Sequence, residues 1–378
     1  EGEEAARAWH LRVAEHVVQP GRPLSDFGFA ARHRNAAGDR AGALELYDRW
    51  ALDLRYRHAY AACVQIAQEG LLAFPTGHAE AERVGAAKLW TRIYDGLVPL
   101  GNVSGADQAL DTVILILEGL TSPEARLIYS SALLRRGRRL AASGQVTEAE
   151  GILEKSLEGF MQAGNNRDRA IVLGEIARLR VQAGDVAGAL NLHEESIATF
   201  EQLGDVRERA VTLGDIARLR AQAGDVAGAL KLHEERIAIF EQLGDVRERA
   251  VTLGDIARLR AQAGDIAGAL NLLVEMLEIC RTLGDLEGIG YTQFALAQLN
   301  LGEGKTEEAQ SRLAEAWEIV VQIGHVDAIA AAGSAYGRLL LNTDREQARS
   351  VLQGSRDAYQ LLGWTAKARE IEGLLQEK

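Results

Sequence analysis

The stretch "GDVRERAVTLGDIARLRAQAGD" occupies residues 204–225 and recurs without a single change at residues 244–265. A looser copy, "GNNRDRAIVLGEIARLRVQAGD", occupies residues 164–185. The tripeptide "LGD" recurs with a spacing of 40 residues, at 203–205, 243–245 and 283–285, and "AGD" falls halfway between its copies. A fixed period in this range is typical of a repeat array rather than of a set of globular domains.

Each period predicts two helices. The first runs from about Val206 to Ala223, with its apolar residues at helical spacing. Gly224 can end it in the left-handed conformation, and Asp225 can cap the next helix, which runs to about Leu243. Connections this short make successive helices antiparallel. Because one hairpin cannot bury its own apolar faces, we expect an all-α fold in which stacked copies form each other's core.

The regular repeats cover residues 123–361, and we expect degenerate helical repeats over 1–122 and a capping helix over 362–378. Within the first of these segments the period slips and the pairing of helices stays open. The predicted helices there lie near 56–73, 78–98 and 104–119, and "PGRP" at 20–23 ends a short N-terminal helix.

Composition narrows the possible partners. The net charge of −12 disfavours nucleic-acid binding, because the phosphate backbone rewards a basic surface. No apolar run is long enough for a membrane-spanning helix. Cys63 and Cys280 lie far apart, so we expect reduced, buried thiols in a cytoplasmic protein in preference to a disulfide.

The sequence contains no catalytic constellation that we can identify, so we expect a non-enzymatic protein with no cofactor and no metal. "GEGK" at 302–305 is too short for a phosphate-binding loop and falls at a turn between helices. "HEE" at 193–195 and 233–235 offers metal-ligand residue types, but the next copy has Leu273, which favours packed histidines. A nucleophilic role for either cysteine is disfavoured, since neither has a histidine and an acid nearby.

The segment "AGDVAGALKLHEE" at 223–235 resembles the second-helix signature of tetratricopeptide repeats, with Ala229 at the tight helix crossing. Ile216 and Ala217 take the place of the Leu–Gly pair in that family's first helix. The long period resembles Pins-type adaptors, kinesin light chains and bacterial signalling arrays. The resemblance implies a right-handed superhelix and a role in binding. Where the family prefers a tyrosine late in the first helix, this chain has Arg180, Arg220 and Arg260.

In this family the first helices line the concave groove. Mapped residue by residue, the resemblance places Val211, Gly214, Arg218, Ala221 and Gln222 in that groove, where arginine can bind carboxylates and glutamine can bind main-chain amides. The alternative is that duplication copied a solvated arginine which pairs with Asp215 or Asp255. The predicted ligand-binding residues are Arg138, Arg178, Gln182, Arg218, Gln222, Arg258, Gln262 and Gln298, and Arg32 falls in the same column.

We therefore expect a scaffold that binds a protein or peptide segment, with an acidic segment as the favoured ligand. A competing interpretation is a sensor or regulatory segment of a larger bacterial signalling protein, which the initial Glu1 in place of Met slightly favours. An enzyme and a self-assembling structural array are two further interpretations.

Overall fold

A computed structural model describes residues 2–19, 23–75 and 77–376. The described residues form α-helices, one short 3₁₀ turn and connecting turns, with no strand among them. The predicted all-α fold is therefore confirmed. Of the predicted turn at 20–23, residues 20–22 lie outside the described residues. The chain divides into two compact units, residues 1–203 and residues 204–378, which we describe separately.

The first unit contains ten of the helices. They are α1 (Gly2–Val17), α2 (Phe27–Ala36), α3 (Arg40–Tyr56), α4 (Tyr60–Ala73), α5 (Glu80–Leu97), α6 (Val103–Leu117), α7 (Pro123–Ala142), α8 (Val146–Gln162), α9 (Asn166–Gln182) and α10 (Val186–Leu203). The 3₁₀ turn is Leu24–Asp26.

The second unit continues with shorter, more uniform spacing between its helices. They are α11 (Val206–Gln222), α12 (Val226–Leu243), α13 (Val246–Gln262), α14 (Ile266–Leu283), α15 (Leu286–Gly302), α16 (Thr306–Ile323), α17 (Val326–Leu340), α18 (Arg345–Leu361) and α19 (Thr365–Gln376).

Helix hairpins are the building block of both units. From α7 onward, each odd-numbered helix packs against the even-numbered helix that follows it, as in α7 with α8 and α13 with α14. The turn between α11 and α12 shows how the sequence makes the hairpin. Gly224 adopts a φ of +88°, which a side chain would strain, and the Asp225 carboxylate accepts a 2.8 Å hydrogen bond from the Gly228 N–H. The predicted stop and cap are both confirmed.

Small residues bring the two helices of a hairpin close together. Ala217 on α11 and Ala229 on α12 are fully buried in one apolar cluster, at the crossing where the sequence predicts them. One turn from the end of the second helix, Phe160, Phe200 and Phe240 are each buried at the same place in successive repeats. The repeated apolar positions thus form the core.

The less regular N-terminal helices follow the predicted positions closely. The predictions near 56–73, 78–98 and 104–119 correspond to α4, α5 and α6. Their pairing, which the sequence leaves open, is α4 with α5 and α5 with α6, while α3 contacts both α4 and α5. At the other end of the chain, α19 packs on α18 and buries Ala368 and Ile371. The domain boundaries at 122 and 361 remain predictions.

Candidate functional site

Three of the predicted ligand-binding residues line one pocket in the second unit. Arg258 and Gln262 lie on α13, and Gln298 lies on α15, the next first helix of the array. The pocket between them has a volume of about 380 Å³. The rest of the lining is Gly254, Ala257, Ala261, Leu273, Met276, Tyr291, Thr292, Ala295 and Leu299.

The pocket is apolar inside, and its polar groups are few. Leu273 and Met276 of α14 lie beneath it, and Ala257 and Ala295 leave space at its sides. The Thr292 hydroxyl donates to the Gly288 carbonyl within α15, and the Tyr291 hydroxyl donates to Asp327 on α17. The protons of both hydroxyls are therefore engaged, and Arg258, Gln262 and Gln298 are the lining side chains that can donate a hydrogen bond to a ligand.

The preceding repeat fills the equivalent space with a buried charge. Arg236 on α12, which corresponds to Met276 on α14, is only 4% exposed. Its Nη1 lies 3.0 Å from His233 Nδ1 and 3.2 Å from Asp255 Oδ2 on α13. The guanidinium also lies over the ring of Phe240, 5.7 Å from its centroid.

Burial fixes the charge state of this network. Burial lowers the pKa of His233 to about 4, although Asp255 nearby acts in the opposite direction. The imidazole is therefore neutral at pH 7, and because Nδ1 accepts from Arg236, the proton sits on Nε2. Nε2 of His233 and Nε of Arg236 have no hydrogen-bond partner among the described residues. Burial also lowers the pKa of Arg236, which Asp255 raises in part.

In the second unit, the predicted arginines form ion pairs on their own helices. Arg218 Nη1 lies 3.0 Å from Asp215 Oδ1 on α11, and Arg258 Nη2 lies 3.5 Å from Asp255 Oδ1 on α13. This is the arrangement that the alternative interpretation of the arginine column expects. Both arginine side chains remain about half exposed, at 48% and 50%, so they keep an open face.

In the first unit, one carboxylate joins two of the predicted residues. Glu175 on α9 accepts from Arg178 at 2.9 Å and from Arg138 on α7 at 2.8 Å. Both arginines are more than 40% exposed. The remaining predicted glutamines, Gln182 and Gln222, are exposed last residues of α9 and α11, and Arg32 is exposed on α2.

The late-helix arginines that replace the family's tyrosine face the turns. Arg180, Arg220 and Arg260 each lie 3.6–4.0 Å from the aspartate that caps the following helix. These contacts place the guanidinium groups at the hairpin turns, where they need no room in the core. The departure from the family pattern is therefore accommodated by an ion pair.

Sequence reasoning missed the residues beneath the pocket. The predicted residues all lie on first helices, whereas Leu273 and Met276 lie on the second helix α14. Leu273, Met276 and Ala295 are among the positions at which the repeats differ. The preceding repeat has His233, Arg236 and Asp255 there. A comparison of the unequal positions would have found the pocket lining.

The histidines and cysteines considered above as metal ligands or nucleophiles are buried side chains. His193 and His233 are both buried, as packed histidines are expected to be. In the described part of the chain, no three His, Cys, Asp or Glu residues come together in a way that could hold a metal ion. Cys63 and Cys280 are buried free thiols, and burial raises the pKa of Cys63 to about 11.

None of the helices that the structure describes combines the length and the apolar character that a membrane span requires.

No family model and no curated protein matches the chain.

The fold is that of tetratricopeptide-repeat proteins, which confirms the resemblance found in the sequence. Among solved structures, the chain is similar to apo RapI, with a TM-score of 0.60 and 12% identity over 74% of this chain and 98% of that one. It is also similar to a Rap protein complexed with competence and sporulation factor, with a TM-score of 0.58 and 12% identity over 89% of this chain and 97% of that one.

A third similar structure is a signal-transduction ATPase with a tetratricopeptide-repeat sensor from Pyrococcus horikoshii. Its TM-score is 0.53 and its identity 14%, over 83% of this chain and 52% of that one. At these identities the similarity establishes the fold alone.

Proposed function

We propose that this chain is a non-enzymatic scaffold that binds a protein or peptide segment along its first helices. The observation that carries the proposal is the pocket between α13 and α15, because three residues predicted from the sequence alone line it together. Repeat folds of this kind present extended surfaces built from equivalent helices. The Rap protein complexed with competence and sporulation factor, whose fold is similar, supports a role in binding.

The polar groups of the pocket suit a polypeptide ligand. The amide groups of Gln262 and Gln298 each carry donors and an acceptor, which can pair with a main chain's N–H and C=O groups. Arg258 can bind a carboxylate, so an acidic segment is the favoured ligand. With a net charge of −12, the chain is poorly suited to nucleic acid, and we propose that it acts in the cytoplasm without a cofactor.

Site-specific photo-crosslinking tests this proposal. A photoreactive amino acid replaces Gln262 at the pocket, and a control protein carries it at Glu278, which is exposed on α14 outside the pocket lining. Both proteins are irradiated in an extract of the source cells. We expect a discrete crosslinked protein from position 262 that is reduced by Arg258→Gln. Equal products from both positions, or none from position 262, would contradict the proposal.

A second candidate function is a regulatory or sensor segment within a larger signalling protein. The similarity to the sensor-containing ATPase favours it, since the match covers only about half of that chain. Sequencing the complete gene product would decide between the two. An adjoining effector domain whose activity changes when the pocket is blocked would support the regulatory function.

A further inference from the structure

The groove side of the second unit differs between two repeats whose first helices are identical. Below Gly214 of α11, the space is filled by Arg236: a Cβ at that glycine would come within 2.6 Å of the guanidinium carbon. Below Gly254 of α13, the corresponding residue is Met276, and the pocket opens between α13 and α15. The residue beneath the glycine therefore decides whether the groove offers a buried charge or an apolar cavity.

The cavity has the size and lining of a ligand site. Its volume of about 380 Å³ falls in the range of about 300–1,000 Å³ that is usual for such sites. Apolar side chains supply most of the lining, and the side chains that can donate hydrogen bonds to a ligand are Arg258, Gln262 and Gln298. An apolar group that entered would leave water without burying an unpaired polar group.

Arg258 shares its carboxylate partner with a buried arginine. Its partner Asp255 also binds the buried Arg236, through the other carboxylate oxygen. One carboxylate therefore faces two guanidinium groups, those of Arg236 and Arg258. Because Arg236 is enclosed, the half-exposed Arg258 is where an added carboxylate can be bound.

We propose that the pocket binds one large aliphatic or aromatic side chain of an extended peptide whose aspartate or glutamate, two residues away, is bound by Arg258. The inference rests on the proposed function and names the ligand of the same site. Side chains two residues apart on an extended chain share a face about 7 Å apart, which lets one peptide reach both the cavity and its rim.

The test uses a library of extended peptides capped at both ends, so that carboxylates come only from side chains. Wild-type protein is compared with three variants. The first, Leu273→His with Met276→Arg and Ala295→Asp, transplants the polar set of the preceding repeat into the pocket. The second, Ala295→Met, fills the cavity from α15 without adding charge, in case the transplant does not fold. The third, Arg258→Gln, removes the rim charge.

We expect wild type to enrich peptides with a large apolar residue two positions from an acid. The first two variants should lose the apolar preference and bind the best peptide about tenfold more weakly or worse, as for loss of an interface anchor. Arg258→Gln should lose only the acid preference.

Two outcomes overturn the inference in different ways. If the triple variant and Ala295→Met enrich the same peptides as wild type, the peptides bind outside the pocket. The inference then fails, while the proposed function stands. If wild type enriches no peptide and position 262 gives no crosslinked protein, the proposed function fails with it.

Discussion

The guanidinium of Arg236 lies directly against the backbone of Gly214, so close that a Cβ at residue 214 would be 2.6 Å from Cζ and 2.8 Å from Nη1. The glycine in this helix interior therefore has a packing role, in addition to the flexibility that makes glycine costly in a helix. Its counterparts in the neighbouring repeats have different surroundings. A Cβ at Gly254 would meet Met276 Sδ at 2.9 Å, and one at Gly174 would meet nothing within 4 Å.

These three glycines form a graded set for mutation to alanine. We expect Gly214→Ala to lower the free energy of unfolding by about 1–3 kcal/mol, because the buried guanidinium cannot move away from its partners. Gly174→Ala should raise it by about 0.5–1 kcal/mol, since alanine favours the helix and meets no obstacle.

Gly254→Ala should fall between the two, because a methionine side chain can adjust. Urea unfolding followed by circular dichroism measures all three. If Gly214→Ala and Gly174→Ala shift the transition by the same amount in the same direction, the packing role assigned to Gly214 is wrong.

Acid should weaken the second unit through His233. Burial lowers its pKa from 6.5 to about 4, so between these values the unfolded chain binds a proton that the folded chain does not. This contribution to stability is complete above about pH 6.5 and is lost as the pH falls toward 4. A shift of this size corresponds to a loss of about 3 kcal/mol.

The control for this prediction is His233→Leu, which is the residue found at position 273 of the next repeat. Other carboxylates also titrate in acid, so the comparison is between the two proteins. The pH dependence of stability between 6.5 and 4 should be shallower in the variant. Parallel curves would show that His233 can be protonated without opening the network of Arg236 and Asp255.

Substitutions at two helix N-caps should change stability in opposite directions. Asp225 accepts from the Gly228 N–H at the start of α12, whereas Lys305 before α16 makes no such side-chain hydrogen bond. Asp225→Ala should cost about 1 kcal/mol of stability. Lys305→Asn should add a cap without placing another negative charge beside Glu303, and should gain up to about 1 kcal/mol. Thermal melting of both variants against wild type checks the two signs together.

The two buried cysteines can report separately on the two compact units. Cys63 lies in residues 1–203 and Cys280 in residues 204–378, and burial raises the pKa of each thiol. In native buffer we expect each to react with a thiol reagent at least about a hundredfold more slowly than free cysteine, because both exposure and thiolate are suppressed. Peptide mapping after labelling over a urea series gives one unfolding curve per unit. Rapid labelling of Cys280 without denaturant would refute the burial of that site.

The fold could be predicted because its signals are local and repeated. Glycine and aspartate mark every hairpin turn of the identical repeats, and alanine at fixed positions marks the helix crossings. One repeat is therefore enough to predict where its helices begin, end and cross. Pairing among α3, α4 and α5 could not be predicted, since those helices have no internal copy with which to compare them.

The site was predictable only in part. The residues on its rim, such as Arg258 and Gln298, follow from the position of first helices in the family. The cavity depends on what lies beneath them, which is set by contacts between one helix and the next. Replacing a buried arginine with methionine at position 276, and an aspartate with alanine at position 295, changes the groove while leaving the repeat pattern intact.

The contact of α12 with two helices of identical sequence, α11 and α13, has a consequence for assembly of the array. If a folding chain skipped a repeat, so that α12 docked on α15, Ala297 and Leu299 would stand where Ala257 and Leu259 stand in α13. Arg236 would then meet Ala295 in place of Asp255 and would bury its charge without a counterion. The buried ion pair thus penalises docking of α12 on α15 and favours the native neighbour α13.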